Sequence, residues 1–359
     1  MYLYEFQGKE LLKRYGIGVP RGLLLLKGGD WSGVEVPWEK VVVKVQVLQG
    51  GRGKRGGVRG VSKEDAIKVA KEMVESWRGA KGVLIEEYVE HEEEFYLSLV
   101  LDREERGILL ILSKRGGVDV EEVAEDVVKM KVDPFLGPLP HTVREASRYF
   151  GYDVGRVLKG AYHLFVERDL TLLEINPLVL RGDRFVALDS KIIYDPSALH
   201  RSNLPENPEQ YTPLELEGRR LGLAVVEMEG RCAVMANGAG LTMATLDYLS
   251  SQGITPRLFL DLSGTDDPER VRGGFHIAVK TSPEVILVNI FSGMTKADTV
   301  AEGIIRGMEE AEVEVPVIVR LHGTNYERGR RMLERRGIHV HESLPEAVEH
   351  LKRVLGGGG

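Results

Sequence analysis

One cysteine, Cys232, occurs in 359 residues. No intrachain disulfide can form, which fits a reducing compartment, and the lone thiol reads as a small buried hydrophobe inside a strand. A basic excess is also missing. The 48 Lys and Arg face 55 Asp and Glu, a net charge of −7, with both signs interspersed. That balance argues against a nucleic-acid partner, which calls for a basic face. No apolar run reaches the roughly 18 residues of a membrane span. The opening Met-Tyr-Leu-Tyr-Glu-Phe-Gln lacks the basic-then-apolar plan of a signal peptide, so the expectation is a cytoplasmic chain with no membrane. Asn and Gln together number eleven, a scarcity typical of thermophilic proteins. What is present, 43% hydrophobic and 29% charged residues, suffices for a large core in more than one domain.

The most informative stretch is 172–191. Two apolar runs flank Gly182-Asp183, a favoured hairpin turn. Strand side chains alternate faces, so Leu173 and Ile175 share one face and Glu174 and Asn176 the other. On the return strand, Val186 and Leu188 go together, with Asp189 and Lys191 opposite. A turn at Gly182-Asp183 pairs residues whose numbers sum to 365, setting Asn176 across from Asp189 and Glu174 across from Lys191. That face carries two carboxylates, a carboxamide and an ammonium. Mg²⁺ prefers hard oxygens, often one or two protein groups plus substrate phosphates, and Asn176 and Asp189 suit it. A solvated face of cross-strand charge pairs is the alternative.

Upstream, residues 5–15 read as a helix ending at Gly16, and Pro20 and Gly22 as a turn. The β-branched run 41–47 is a strand with Lys44 in its middle, unusual because lysine is rarely buried without a partner. The glycine-rich stretch 49–60 follows. It holds a G-x-G-x-x-G at 51–56, but no helix opens there, and Arg55 stands where a Walker loop needs Ser or Thr. The remaining readings are a cover over phosphates, with glycine backbone and Arg52, Lys54 and Arg55 meeting the anion, or a basic hairpin tip. An amphipathic helix over 62–77 is core. Strands over 83–89 and 95–101 flank the acids at 86–94, which suit an adenine or ribose, or a solvated turn. The spacing then predicts an acidic helix over 121–129, an extended connector over 133–140 and one helix over 142–167.

Prolines 205, 208 and 213 break the pattern between 200 and 227, giving an expected division into residues 1–227 and 228–359. Beyond it, strands at 232–236, 257–262, 285–291, 315–321 and 339–341 alternate with helices, which makes a doubly wound parallel sheet. Ligands bind such sheets at the carboxyl ends of the strands. Those ends are small and polar here: Asn237-Gly238-Ala239-Gly240, Ser263-Gly264-Thr265, Ser292-Gly293-Met294-Thr295 and His322-Gly323-Thr324-Asn325. The first opens into a helix, whose N-terminus is an anion site. The four glycines at 356–359 read as a flexible tail.

Taken together, Tyr4-Glu5-Phe6-Gln7, Gly50-Gly51-Arg52-Gly53-Lys54, Gly116-Gly117-Val118, Leu173-Glu174-Ile175-Asn176-Pro177-Leu178, Asn237-Gly238-Ala239-Gly240-Leu241 and Asn289-Ile290-Phe291 resemble the β-subunit of succinate–CoA ligase over nearly the whole chain. The resemblance implies an α/β chain: an ATP-grasp N-terminal domain followed by a flavodoxin-like CoA-ligase domain. It would place Lys44, Gly51, Arg52 and Gly53 on the phosphates of ATP or ADP, and Glu86 and Glu94 around adenine and ribose. Asn176 and Asp189 would hold Mg²⁺, and Glu174 would contact a phosphorylated histidine. Asn237, Gly293, Met294 and Thr295 would line the site of a small carboxylate. The family's histidine and most of its CoA site lie on a separate α-subunit. Family members commonly read Gly-Gly-Gly at 263–265, Phe-Gly-Gly at 291–293 and an acid at Arg115, so malate or another short carboxylate stands beside succinate. Pro20 resembles the ATP-using members. The rival readings are an ATP-grasp amide-forming ligase, against which the second domain argues, and a non-catalytic nucleotide-binding subunit, against which Glu174, Asn176 and Asp189 argue.

Overall fold

The computed structural model describes residues 1–48, 50–117, 127–311 and 315–356. The chain divides into two compact units, Met1–Gln210 and Tyr211–Gly359.

The first unit runs α1 (Glu5–Arg14), β1 (Gly22–Leu26), β2 (Lys40–Gln46), β3 (Val58–Ser62), α2 (Lys63–Ser76), β4 (Gly82–Glu87), β5 (Glu94–Asp102), β6 (Gly107–Ser113), β7 (Val127–Val132), α3 (Pro140–Phe150), α4 (Gly155–Glu167), β8 (Leu170–Arg181), β9 (Arg184–Ala187), β10 (Lys191–Tyr194) and α5 (Leu199–Ser202). One antiparallel sheet has the order β1-β4-β2-β3, the other β10-β8-β5-β6-β7 with β9 on β8. In the smaller sheet, Val41, Val43, Val45, Val83 and Ile85 pack on Ala66, Ala70 and Met73 of α2. Strand alternation then turns Lys44, Gln46 and Glu86 to the other face.

The 365 register is observed. Leu178 pairs with Ala187, Arg181 with Arg184, and Glu174 with Lys191. The ladder is interrupted between β9 and β10, beside Pro177, which has no N–H to give. Asn176 and Asp189 fall in that interruption, while Leu173 and Ile175 are fully buried as expected.

Several expectations change. The helix over 142–167 is two, because Gly151 adopts φ +86° and caps α3 by donating to the Ser147 carbonyl at 2.8 Å. Gly22 opens β1 rather than sitting in a turn. β6 was not anticipated. Residues 127–129, expected as the end of an acidic helix, lie in β7, where Lys129 and Lys131 point out and Met130 and Val132 in, a period of two. The rest of that helix, residues 121–126, and tail glycines 357–359 lie outside the described residues.

The second unit runs α6 (Pro213–Arg220), β11 (Ala224–Glu227), β12 (Cys232–Ala236), α7 (Ala239–Ser251), β13 (Pro256–Asp261), α8 (Pro268–Lys280), β14 (Val285–Ser292), α9 (Ala297–Ala311), β15 (Val317–Gly323), α10 (Tyr326–Glu334), β16 (Val340–His341) and α11 (Leu344–Gly356). Its sheet has the order β11-β13-β12-β14-β15-β16, parallel except for β11. This is the doubly wound arrangement read from the sequence, with an unanticipated antiparallel edge. The stretch 211–227 travels with this unit because β11 pairs with β13, and Gly218 of α6 lets Val225 of β11 approach closely. Both sheet faces are covered. Ala233, Met235, Ile286 and Val288 pack toward α8 and α9, and Cys232, Val234, Val285 and Leu287 toward α7 and α11. Burial pushes the Cys232 thiol up to about 12. Among the described residues no helix is long and apolar enough to cross a membrane.

Leu287 is fully buried in the α7–α11 layer. Leu287→Ala is expected to cost about 2–5 kcal/mol in urea unfolding of the chain, and a loss under about 1 kcal/mol would contradict this packing.

Candidate active site

A cleft of about 670 Å³ opens in the first unit between its two sheets. The smaller sheet contributes Lys44 and Glu86, and the larger contributes Glu94, Glu174, Asn176 and Lys191. The β2–β3 connection adds Gly51, Arg52, Gly53 and Lys54, and Asp189 comes from the β9–β10 interruption. The residues expected around nucleotide and metal thus line one cleft, except Arg55, which instead donates to the Gly50 carbonyl at 2.8 Å and lies over the Trp77 ring.

The cations there are not idle. Lys44 Nζ lies 2.7 Å from Glu86 and 3.2 Å from Glu5, and donates to the Leu188 carbonyl at 2.5 Å. Arg52, only 8% exposed, lies 2.5 Å from Glu5 and donates to Asp189 at 2.8 Å and to the Val45 carbonyl at 3.1 Å. Lys9, supplied by α1, donates to both Glu86 oxygens at 2.6 Å and lies 2.7 Å from Glu5. Three cations and three carboxylates form one cluster with no formal net charge. Lys44 therefore has structural acid partners, and Glu86 is tied to Lys9 and Lys44.

Burial alone would raise the Glu5 carboxyl, but Arg52, Lys44 and Lys9 outweigh it and hold it well below the usual carboxylate range. Burial lowers Lys9, with Lys44 adding to the shift. Burial also acts to lower Lys44, yet Glu5, Glu86 and Asp189 raise it overall.

The glycine loop folds back on itself as the β2–β3 connection. Gly57 donates to the Arg52 carbonyl at 2.8 Å, and a Cβ there would press on Val45 and Trp77. The loop is thus a closed basic hairpin tip, and its Gly51, Arg52, Gly53 and Lys54 border the cleft. On the other wall, Asn176 Oδ1 accepts from Gly117 N–H at 2.7 Å. Asp189 Oδ1 accepts from Ser190 N–H at 2.6 Å as well as from Arg52. His91 sits 2.9 Å from Glu94 and 2.8 Å from the Val89 carbonyl.

In the second unit, the carboxyl edge is braced by side chains. Asn237 accepts from Phe291 N–H at 3.0 Å and donates to the Phe291 carbonyl at 2.9 Å, so its amide ties β12 to β14. Asp261 accepts from Gly238 N–H at 2.6 Å and Ser263 N–H at 2.7 Å, joining the first two βα turns. Met294 is exposed, whereas Thr295 is buried with no partner for its hydroxyl among the described residues. A Cβ on Gly264 would meet Met294, so the 293–295 loop lies against the 263–265 turn.

The sequence reading missed Glu5, Lys9 and Asp261. The i,i+4 spacing of Glu5 and Lys9 was the available signal, but it is indistinguishable from a surface pair until α1 is seen to be buried on that face. Among the described residues, no group of three or more His, Cys, Asp or Glu is placed to hold a metal. Asn176 and Asp189 offer one amide and one carboxylate oxygen, a donor set that fits a hard cation completing its shell with phosphate and water.

The sequence profile of the ATP-grasp domain matches residues 2–180, and that of the CoA-ligase domain residues 235–354. An ATP-grasp unit followed by a CoA-ligase unit is the class that this fold and cleft define. The succinate–CoA ligase (ADP-forming) subunit beta of Desulfurococcus amylolyticus is 39% identical with 100% of both chains covered, and that of Staphylothermus marinus 38% identical with 97% of each. The chain belongs to the family of ADP-forming succinate–CoA ligase beta subunits. The fold is shared with ATP citrate lyase from Methanothrix soehngenii, solved in complex with citrate and coenzyme A. The TM-score is 0.73 at 22% identity, over 97% of this chain and 99% of that one.

Because the Glu5 carboxyl is depressed in the folded chain, its stabilisation is complete above the ordinary value of 4.5 and is lost as pH falls below it. Glu5→Gln is expected to cost about 3–5 kcal/mol at pH 7, and the gap to wild type should narrow as pH falls from 4.5 toward 3. Urea unfolding across that range measures it, and a gap independent of pH would contradict the depressed carboxyl.

Proposed function

We propose that this chain is the nucleotide-binding β-subunit of an ADP-forming acid–thiol ligase, with succinate as substrate and malate as the alternative short carboxylate. The observation that carries this reading is the gathering of Lys44, the 51–53 loop, Asn176, Asp189 and Glu174 around one cleft in an ATP-grasp unit. Lys44 and Arg52 meet the phosphates of ATP, the loop backbone covers them, and Glu86 and Glu94 face adenine and ribose. Asn176 and Asp189 hold Mg²⁺, which when bound neutralises charge on the phosphates. Phosphoryl transfer needs position and charge neutralisation more than covalent help from the protein.

The γ-phosphoryl group passes to a histidine of an α-subunit partner, leaving ADP, with Glu174 contacting the imidazole. The carboxylate then takes the phosphoryl group to give an acyl phosphate. The thiol of CoA, bound mainly by the partner, attacks the acyl carbon and releases phosphate. In the second unit, the N-terminus of α7 faces the phosphorylated histidine, and Asn237 with the 293–295 loop lines the carboxylate. The bracing of Asn237 on Phe291 supports a positioning role for its amide.

Two outcomes test this reading. The purified chain alone binds Mg-ATP by calorimetry but forms no acyl-CoA until the α-subunit is added, and thioester formation by the isolated chain would contradict it. In the reconstituted complex, Asp189→Asn slows histidine phosphorylation on the order of a hundredfold with little change in melting, since Arg52 keeps Glu5 as a partner. A near-wild-type rate and unchanged Mg²⁺ dependence would remove the metal assignment.

A further inference from the structure

Glu5 has no counterpart among the residues assigned above to nucleotide, metal or carboxylate. It is 4% exposed, sits in the first turn of α1, and touches all three buried cations: Arg52 at 2.5 Å, Lys9 at 2.7 Å and Lys44 at 3.2 Å. Its second oxygen also accepts from Gln46 Nε2 at 3.0 Å, and Gln46 in turn accepts from the Phe6 N–H at 3.1 Å. The carboxylate is thus fixed from behind by its own helix and by β2.

The other two carboxylates of the cluster face different duties. Asp189 is a third exposed and borders the cleft, where it is proposed to meet metal. Glu86 lies on β4 and holds Lys9 and Lys44. Glu5 contacts both Lys44 of β2 and Arg52 of the glycine loop.

We propose that Glu5 is the positioning residue of the phosphate subsite. Anchored by α1, it keeps the Lys44 ammonium and the Arg52 guanidinium side by side at the cleft, so that they meet a polyphosphate as a preformed pair. The inference rests on the nucleotide reading of the cleft. Its physical basis is that two cations held close together repel one another and lose solvation on burial, so a fixed anion between them is what keeps both charged and in place. When phosphate arrives, Arg52 can exchange Asp189 for the ligand while Glu5 still holds it. The loop then stays docked while Asp189 becomes available. Glu5 touches neither phosphate nor reacting atoms, and acts through Lys44 and Arg52.

The test compares ATP with adenosine, using calorimetry on the full chain as wild type, Glu5→Gln and Glu5→Asp. Glu5→Gln, with native circular dichroism, is expected to weaken ATP binding tenfold or more and to leave adenosine binding within twofold. Should Glu5→Gln fail to fold, Glu5→Asp keeps the charge one methylene short of its partners and is expected to weaken ATP several-fold with adenosine again unchanged. Equal loss for ATP and adenosine would mean a merely structural role and overturn the proposal, as would ATP affinity unchanged in a folded variant. Wild type that binds no ATP would overturn the nucleotide reading and this proposal with it, whereas wild-type binding matched by both variants would overturn this proposal alone.

Discussion

A lysine or arginine removed from water must bring a counter-charge with it, and that constraint organises the first unit. Lys9, Lys44 and Arg52 are each nearly inaccessible, and Glu5, Glu86 and Asp189 answer them one for one. The six groups come from α1, β2, the glycine loop, β4 and the β9–β10 interruption. The cluster therefore fastens the first helix, both sheets and the loop to one point. Taken singly, buried pairs of this kind add little net stability. In the proposed function they keep Lys44 and Arg52 beside the cleft for a ligand with negative charge of its own.

The carboxyl edge of the second unit follows another rule. Its braces are neutral or singly charged side chains that bond backbone rather than each other. Asn237 ties β12 to β14, and Asp261 ties the turn before α7 to the turn after β13. These bonds fix where the loops stand, leaving the N-terminus of α7, with its anion-favouring dipole, set by a rigid sheet. The exposed Met294 lies against Gly264 of the 263–265 turn.

Much of this was legible in the sequence because strands alternate. The register of β8 with β9 and β10 followed from one turn at Gly182-Asp183, and the separation of Leu173 and Ile175 from Glu174 and Asn176 followed from the pleat. The five parallel strands of the second unit were equally plain, since short apolar runs alternating with helical spacing give a parallel, doubly wound sheet. The ion cluster was not legible. Glu5 and Lys9 have the spacing of any surface helix pair, and what buries them is contact with segments far along the chain. The break between α3 and α4 turned on Gly151 alone, and β7 on a short alternation of Lys129 to Val132 that sits beside an acidic stretch. Asp261 ends a strand as many acids do, and only the turn geometry reveals its two N–H donors.

The central claim is that nucleotide phosphate and Mg²⁺ enter the cleft by taking over partners that the cluster holds internally. A crystal structure of the chain with Mn²⁺ in place of Mg²⁺ and a non-hydrolysable ATP analogue tests it most directly. The account predicts an anomalous peak at Asp189 and Asn176, phosphate oxygens within hydrogen-bond reach of Lys44 and Arg52, and Arg52 released from Asp189 while still bound to Glu5. A peak elsewhere, with the Arg52–Asp189 pair intact and the phosphates outside the cleft, would contradict it.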